Sequence, residues 1–495
     1  MDRAKPEAAD GSKTAGSDFL HLDVGEAPTG GRADWLAGRL RAAIADGRVP
    51  VGSRLPASRV LAADLGVSRG VVTEAYQRLT EDGHVVGRGR GGTVVVATPA
   101  AVVLRPAAPP AVDVFADRTD TDVLDALRTA PAGIDLRPGV PDLAAFPRAA
   151  WLRAERAVLH RLTPAEFGYG DPTGVPALRL AVATRLARSR GIRVDPAEVV
   201  IVAGVSQALG LLAQVLHADG VHTVAVEDPG SLGVRQHLRN WRLDTPPVPV
   251  DAHGLRVDDL DAGGAPAVLV TPAHQFPTGV VLDGDRRRQL IGWARRGGLV
   301  VEDDYDAEHR YDRPPVPALR AMLPEQVCYT GSISKLLAPA LRIGWVLVPR
   351  RHHAALVAAK RMADLGNAAL PQLVLAELID SGALDRHLRL LRRRHVRRRD
   401  AMIDAVRAHL PGAVVHGAAA GLHLLVTLPD AVSDVDLAAA ALRRGVKVQP
   451  LSWHGQRPQP PGLVLGYAAN TPGVIDRGLA AVGAALREVQ SAGPA

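Results

Sequence analysis

GSISKLLAPALRIG, residues 331–344, is the stretch whose reading decides the fold. Lys335 stands between small polar residues, with Ser332 and Ser334 just before it and Arg342 seven positions on. A strand-like run, Gln326–Tyr329, leads in, and a second, Ile343–Val348, leads out. The spacing puts a lysine in a tight turn, flanked by hydroxyls and a cation suited to a phosphate. A lysine amine condenses with an aldehyde where its surroundings favour the neutral form. The cofactor that carries both an aldehyde and a phosphate is pyridoxal phosphate. Taken alone, such a lysine is more often a solvated surface residue.

Two other stretches supply what that cofactor needs. In VAGVSQALG, Gly204, Val205 and Ser206 follow a strand-like run and open a helix, where free backbone N–H groups favour an anion. In VVEDDYDAEH, a strand delivers Asp303 and Tyr305 at its C-terminal end, where α/β ligands bind. A carboxylate suits a protonated pyridine nitrogen and a phenol suits the ring oxygen. The three acids could instead hold a divalent metal, but no second acidic cluster or histidine pair is seen to complete such a site, and no metal is expected.

The first pattern closely resembles the SxSKxxxPxxRxG signature of fold-type-I aminotransferases. The resemblance implies Lys335 as the Schiff-base lysine. It implies Val205, Ser206, Ser332 and Arg342 around the phosphate, and Asp303 and Tyr305 at the ring. Tyr169, in FGYGDPTG, is spaced like the tyrosine that reaches a neighbouring subunit's phosphate in that family. The loop TPAHQFPTG, 271–279, has Phe276 where aminotransferases usually carry Asn, leaving His274 and Gln275 as polar candidates. Ser231 stands where relatives often place a tyrosine near the cofactor. The arginine that fixes the substrate carboxylate in the family is replaced by Val464 in GLVLGYA, with Arg457 the nearest substitute. These losses imply weak or absent transamination.

Upstream the text differs in kind. Residues 1–30 read as a disordered tail. WLAGRLRAAIADG, from Trp35, has apolar positions at helical spacing. A second helix is expected over Pro56–Asp64 with Ser58 as a candidate cap, a turn at Gly66, and a third helix over Arg69–Leu79 capped by Ser68. His84–Val86 and Thr93–Val96 read as short strands around a basic Gly-rich tip. From Trp35 to Val96 nine arginines face five acids, so this block is basic where the whole chain is only +7. In a helix-turn-helix the start of the second helix meets base edges. That assigns Ser68, Arg69 and Thr73 to bases, and Arg59, Arg88 and Arg90 to phosphates. The block resembles the winged helix of the GntR regulator family, departing at Gly70, where members often carry Asn or Thr.

Residues 98–132, rich in Pro and Ala, read as a linker. From 133 to 495 strand-like and helical runs alternate, which argues a mostly parallel sheet with a smaller C-terminal domain. The expected fold is an α+β winged helix-turn-helix followed by an α/β fold-type-I aminotransferase-like domain. LRRRHVRRRD, 391–400, with six arginines in ten residues, is read as a solvated helix face, with a docking surface for DNA or the winged helix as the alternative.

The single cysteine excludes a disulfide framework and a cysteine-rich metal site. No apolar run is long enough to cross a membrane, and a cytoplasmic location is expected. The whole pattern resembles the MocR subfamily of bacterial transcriptional regulators. It implies a homodimer that binds a double-stranded operator and senses pyridoxal phosphate, or an amino compound, through aldimine chemistry. A working aminotransferase with an accessory winged helix, and a regulator with an empty domain, are the rival readings.

Overall fold

The computed structural model describes residues 22–28, 30–97, 114–115, 123–311, 316–429 and 432–492. The chain divides into two compact units, Met1–Ala111 and Val112–Ala495.

In the first unit, helix α1 (Arg32–Ala45) buries Leu36, Leu40, Ala43 and Ile44 along one stripe. These residues pack against Leu61 of α2 (Ser58–Asp64) and against Val72, Tyr76 and Leu79 of α3 (Arg69–Glu81). Strands β1 (Val85–Gly87) and β2 (Thr93–Val95) pair antiparallel and close the core with Val85 and Val95. Burying a leucine fully is worth about 1.5–3 kcal/mol, so this one stripe fixes the arrangement. Gly66, at φ +63°, makes the turn between α2 and α3. Ser68 caps α3 by accepting from Val71 N–H at 3.4 Å. Ser58 does not cap: it is the first helical residue, and its hydroxyl accepts from Arg69 Nε at 3.4 Å. The expected tail also ends earlier than residue 30. Val24–Glu26 form a 3-10 turn, Leu22 packs on the core, and Glu26 pairs with Arg39.

In the second unit, an eight-stranded sheet is built from β3 (Val200–Val202), β4 (Val224–Asp228), β5 (Pro247–Asp251), β6 (Gly254–Leu255), β7 (Ala267–Val270), β8 (Leu299–Asp304), β9 (Val327–Ser332) and β10 (Gly344–Leu347). The spatial order is β3-β10-β9-β8-β7-β4-β5-β6. Strands β9, β8, β7, β4 and β5 run parallel; β10 and β6 run against their neighbours. The central strands are continuous apolar runs because both faces are covered by helices. The C-terminal part adds an antiparallel sheet of β11 (Val414–His416), β12 (His423–Thr427), β13 (Gln449–Pro450) and β14 (Gly462–Gly466).

Much of the stretch expected to be linker, 98–132, lies outside the described residues. Its end is ordered as helix α4 (Val123–Thr129), with Val123 and Leu127 buried. The arginine-rich run also differs from expectation. It lies in the 27-residue helix Ala383–His409, and only part of it faces solvent. Arg394 and Arg398 turn inward onto the buried carboxylate of Asp142, at 3.0 and 2.8 Å. His395 and Leu391 are buried on the same side. A run of arginines repeats every residue, whereas a helix turns 100° per residue, so the run must serve both faces.

Removing one partner of a buried ion pair strands the other charge. Asp142→Ala should therefore cost about 3–5 kcal/mol of stability, read as a shift in the denaturant midpoint.

Candidate functional site

The C-terminal ends of β4, β7, β8 and β9 open into a cavity of about 470 Å³, the crevice position where α/β sheets bind ligands. Of the residues marked from sequence, Val205, Ser206, Asp303, Tyr305, Ser332, Lys335 and Arg342 all line it. Tyr169 does not; it is 95% exposed.

Lys335 lies in the turn between β9 and β10. Its Nζ donates to the Gly139 carbonyl at 2.5 Å. Desolvation by the surrounding protein pushes its pKa below that of an ordinary lysine, against the pull of Asp306 and Asp303. The neutral amine, the nucleophilic form, is thereby favoured.

One end of the cavity is built for an anion. Helix α5 (Val205–Ala218) starts there after Gly204, which sits at φ +88°. A Cβ at Gly204 would lie 3.2 Å from the Arg342 guanidinium, so only glycine leaves that space clear. Arg342 also donates to the Ala203 carbonyl. Ser206 and Arg342 are exposed, so this end is open.

The opposite end is acidic and buried. Asp303 accepts from the Thr330 hydroxyl at 3.0 Å. Burial pushes Asp303 up to about 7; Thr330 and Lys335 oppose the rise, and Asp304 and Asp306 add to it. Burial, with the charges of Asp306 and Asp303, pushes the Tyr305 phenol well above its ordinary range. Glu227, also raised to about 7 by burial, accepts from Thr271 N–H at 3.1 Å and its hydroxyl at 2.6 Å.

Several lining residues carry no mark in the sequence: Gly139, Glu227, Arg235, Leu422, His423 and His454. His423 opens β12 and His454 closes a 3-10 turn, more than a hundred residues from Asp303 in the chain. A lone histidine far from the motifs gives no signal that it belongs with them. The metal reading also changes. His274 and His423 come to Asp306 with donor atoms all within 4.8 Å of one another, a histidine pair that the sequence did not reveal.

Val464, buried in β14, packs with Leu425, Leu451 and Phe276 in one apolar cluster. Arg457 does not reach in; it is exposed and donates to the Pro247 carbonyl at 3.3 Å. Arg235 does line the cavity, with its terminal nitrogens on the carbonyls of His454 and Trp453, both at 3.2 Å. Ser231 lines it too, and caps the helix Leu232–Asn240 by accepting from Val234 N–H at 3.3 Å.

In the first unit, Arg59, Ser68, Arg69, Thr73 and Arg88 are all exposed. Thr73 donates its hydroxyl to the Arg69 carbonyl at 2.9 Å. A Cβ at Gly70 would meet only Ser68 Oγ, at 3.7 Å, so a side chain fits there. The side chain of Arg90 lies outside the described residues.

Residues 132–482 match the family of aminotransferase class I and II, and residues 33–95 match bacterial regulatory proteins of the gntR family. The probable rhizopine catabolism regulatory protein MocR of Rhizobium meliloti is 32% identical over 466 residues, covering 92% of this chain and 94% of that protein. The chain belongs to the MocR-type regulators. The pyridoxine biosynthesis transcriptional regulator PdxR of Corynebacterium glutamicum is likewise 32% identical, covering 88% of this chain and 91% of that one. Among solved structures, the α-aminoadipate aminotransferase LysN of Thermus thermophilus, complexed with N-(5'-phosphopyridoxyl)-L-leucine, matches with a TM-score of 0.68 and 26% identity. It covers 76% of this chain and 96% of that chain.

The cofactor of this family is pyridoxal phosphate, and the cavity fits it. Gly204, Ser206 and Arg342 offer donors for a phosphate. Asp303 offers a carboxylate for a pyridinium, Tyr305 a phenol for the ring oxygen, and Lys335 an amine for the aldehyde.

Asp303 ionises at 3.8 when solvated and near 7 in the fold. Between these values the folded state binds the extra proton, so stability falls as pH rises through that window. Asp303→Asn should raise the melting temperature of cofactor-stripped protein at pH 8, with the gain shrinking toward pH 4.

Proposed function

We propose that this MocR-type transcriptional regulator binds operator DNA through residues 35–96 and senses pyridoxal phosphate, or an amino compound reacting with it, at Lys335. The observation that carries the reading is the contrast within one cavity. Lys335, Ser206, Arg342, Asp303 and Tyr305, which would hold the cofactor, all line the cavity, while Val464, at the position read as carboxylate-fixing, is buried behind its wall in an apolar cluster with Phe276. The cofactor supplies an electrophilic aldehyde and an electron sink when bound. Lys335 would offer its amine to the aldehyde, Arg342 and the α5 N-terminus would hold the phosphate, and Asp303 and Tyr305 would orient the ring.

Valine has no donor for a carboxylate, and turnover needs the breaking bond held perpendicular to the ring. Poor transamination follows, and the chemistry serves as a switch. The open phosphate end and the exposure of Tyr169 support a homodimer in which each Tyr169 completes the partner's site. Two DNA half-sites then follow from the symmetry. A DNA-binding regulator without a membrane-spanning helix among its described residues is assigned to the cytoplasm.

Borohydride reduction of cofactor-loaded protein, followed by peptide mapping, should place the adduct on Lys335, and Lys335→Ala should yield none. The same loaded protein, mixed with amino acids and ω-amino acids, should convert its cofactor to the amine form slowly or not at all. Rapid conversion with regeneration by a keto acid would mark a working aminotransferase instead.

Arg69 stands exposed at the start of α3. Arg69→Ala should weaken operator binding by about 1–3 kcal/mol and relax base preference. Arg88→Ala should weaken all sequences alike and lower the slope of log affinity against log salt by about 1. Gel-shift titrations at several salt concentrations separate the two.

A further inference from the structure

His274 and Asp306 do not line the cavity, yet they touch a residue that does. His274 lies in the loop after β7, and Asp306 lies two residues beyond β8. Their side chains are 0% and 1% exposed. His274 Nδ1 is 2.8 Å from Asp306 Oδ2 and 3.0 Å from the Tyr305 hydroxyl. The ring is wedged by backbone. A Cβ at Gly421 would lie 2.0 Å from its Cε1, and one at Gly279 would lie 3.1 Å from its Nε2. Nε2 is buried without a hydrogen-bond partner.

These contacts dictate where protons go. A carboxylate only accepts, so Nδ1 carries the imidazole proton and donates it to Asp306. A protonated Nδ1 cannot accept from the phenol. The Tyr305 proton is left with two destinations, the Asp306 carboxylate, also within hydrogen-bonding reach, and the cavity. By occupying Asp306 Oδ2, the His274 N–H weakens the carboxylate's competition for that proton.

We infer that His274 is a positioning residue which, directly and through Asp306, keeps the Tyr305 hydroxyl as a hydrogen-bond donor to the phenolic oxygen of the bound cofactor ring. This rests on the reading that the cavity takes pyridoxal phosphate. Other titratable groups facing the network are Asp303, Glu227, Lys335, His309, His423, Tyr311 and Tyr467. All of them stay in place in the variants below. Metal ligation by His274, Asp306 and His423 is the competing use of the same atoms. The hydrogen bond is favoured, because Nδ1 and Oδ2 already meet and glycine backbone closes on the ring.

The test is a spectrophotometric pH titration of the full-length protein loaded with pyridoxal phosphate. Donation to the ring oxygen favours the proton-poor form of the bound chromophore, so its loss raises the midpoint. His274→Phe, which keeps the ring volume, and Tyr305→Phe should each raise the midpoint by about half a pH unit or more. The double variant should move no further than Tyr305→Phe alone. His274→Asn should stay near the wild type, because its amide donates from close to the Nδ1 position. If His274→Phe fails to fold, His274→Leu takes its place. A midpoint unmoved by the His274 substitution, or shifts that add, overturns the positioning role. So does a stoichiometric metal ion whose chelation moves the wild-type midpoint. A wild type that takes up no chromophore overturns the cofactor reading and this inference together, while an unmoved midpoint in a loaded variant overturns only the inference.

Discussion

The larger unit depends on holding the Lys335 amine in a place poor in water. A lysine is left half-buried only where its charge is offset or its proton surrendered. Here both occur in part. Desolvation lowers its pKa, while Asp303 and Asp306 pull it back. The carbonyl of Gly139 takes the amine's hydrogen bond, and a Cβ at Gly139 would come within 3.0 Å of Nζ. Glycine at 139, at φ +76°, is thus set by the amine as much as by the turn.

The strand ends around that amine carry more acid than the cavity alone would tolerate. Glu302, Asp303 and Asp304 are consecutive on β8, and alternate side chains of a strand point to opposite faces. Asp303 faces the cavity, whereas Asp304 faces the other way and pairs with buried Arg190 at 2.6 Å. Glu302 accepts from the backbone N–H groups of Leu319 and Arg320, both at 3.0 Å. Each acid outside the cavity is satisfied on its own side. Asp303 is the acid of this strand that faces the cavity, and its buried carboxylate, raised to about 7, suits a cationic partner such as the pyridinium of the cofactor.

What the sequence revealed followed contiguity. The Lys335 turn, the Gly204–Ser206 helix start and the Asp303–Tyr305 strand end are each short, local and chemically dense, and the fold brings all three together. The winged-helix core was legible for the same reason, since its apolar spacing is a local signal. Contributions from far along the chain were not legible. Gly139, His423 and His454 lie far from the motifs in the chain and join the cavity lining only in the folded unit. The ion pairs of Asp142 with Arg394 and Arg398 span some 250 residues, and no local pattern separates those arginines from their solvated neighbours. Ser58 reads as a cap because a serine one residue inside a helix looks the same in sequence as one at its boundary. The end of the stretch 98–132 reads as linker because proline and alanine content hides the two buried positions of α4, Val123 and Leu127.

The apolar corner bears on what kind of device the cavity makes. Val464 lies in register between Leu425 and Gln449, so its side chain is set by two strands rather than by a movable loop. Phe276 packs on it and on His423 and His454, with ring centroids 5.0 Å from each imidazole. Burial pushes both histidines down to about 3, so at neutral pH they bring no cation. The guanidinium that borders this corner among the described residues is Arg235, held by the carbonyls of His454 and Trp453. An enzyme needs a bound state that passes quickly to product, and a sensor needs one that lasts long enough to shift an equilibrium. A site that keeps its hold on the cofactor while losing its grip on the substrate's carboxylate lengthens the first kind of state into the second. On the proposed reading, that loss of orientation, rather than any loss of cofactor chemistry, would separate this cavity from that of an aminotransferase.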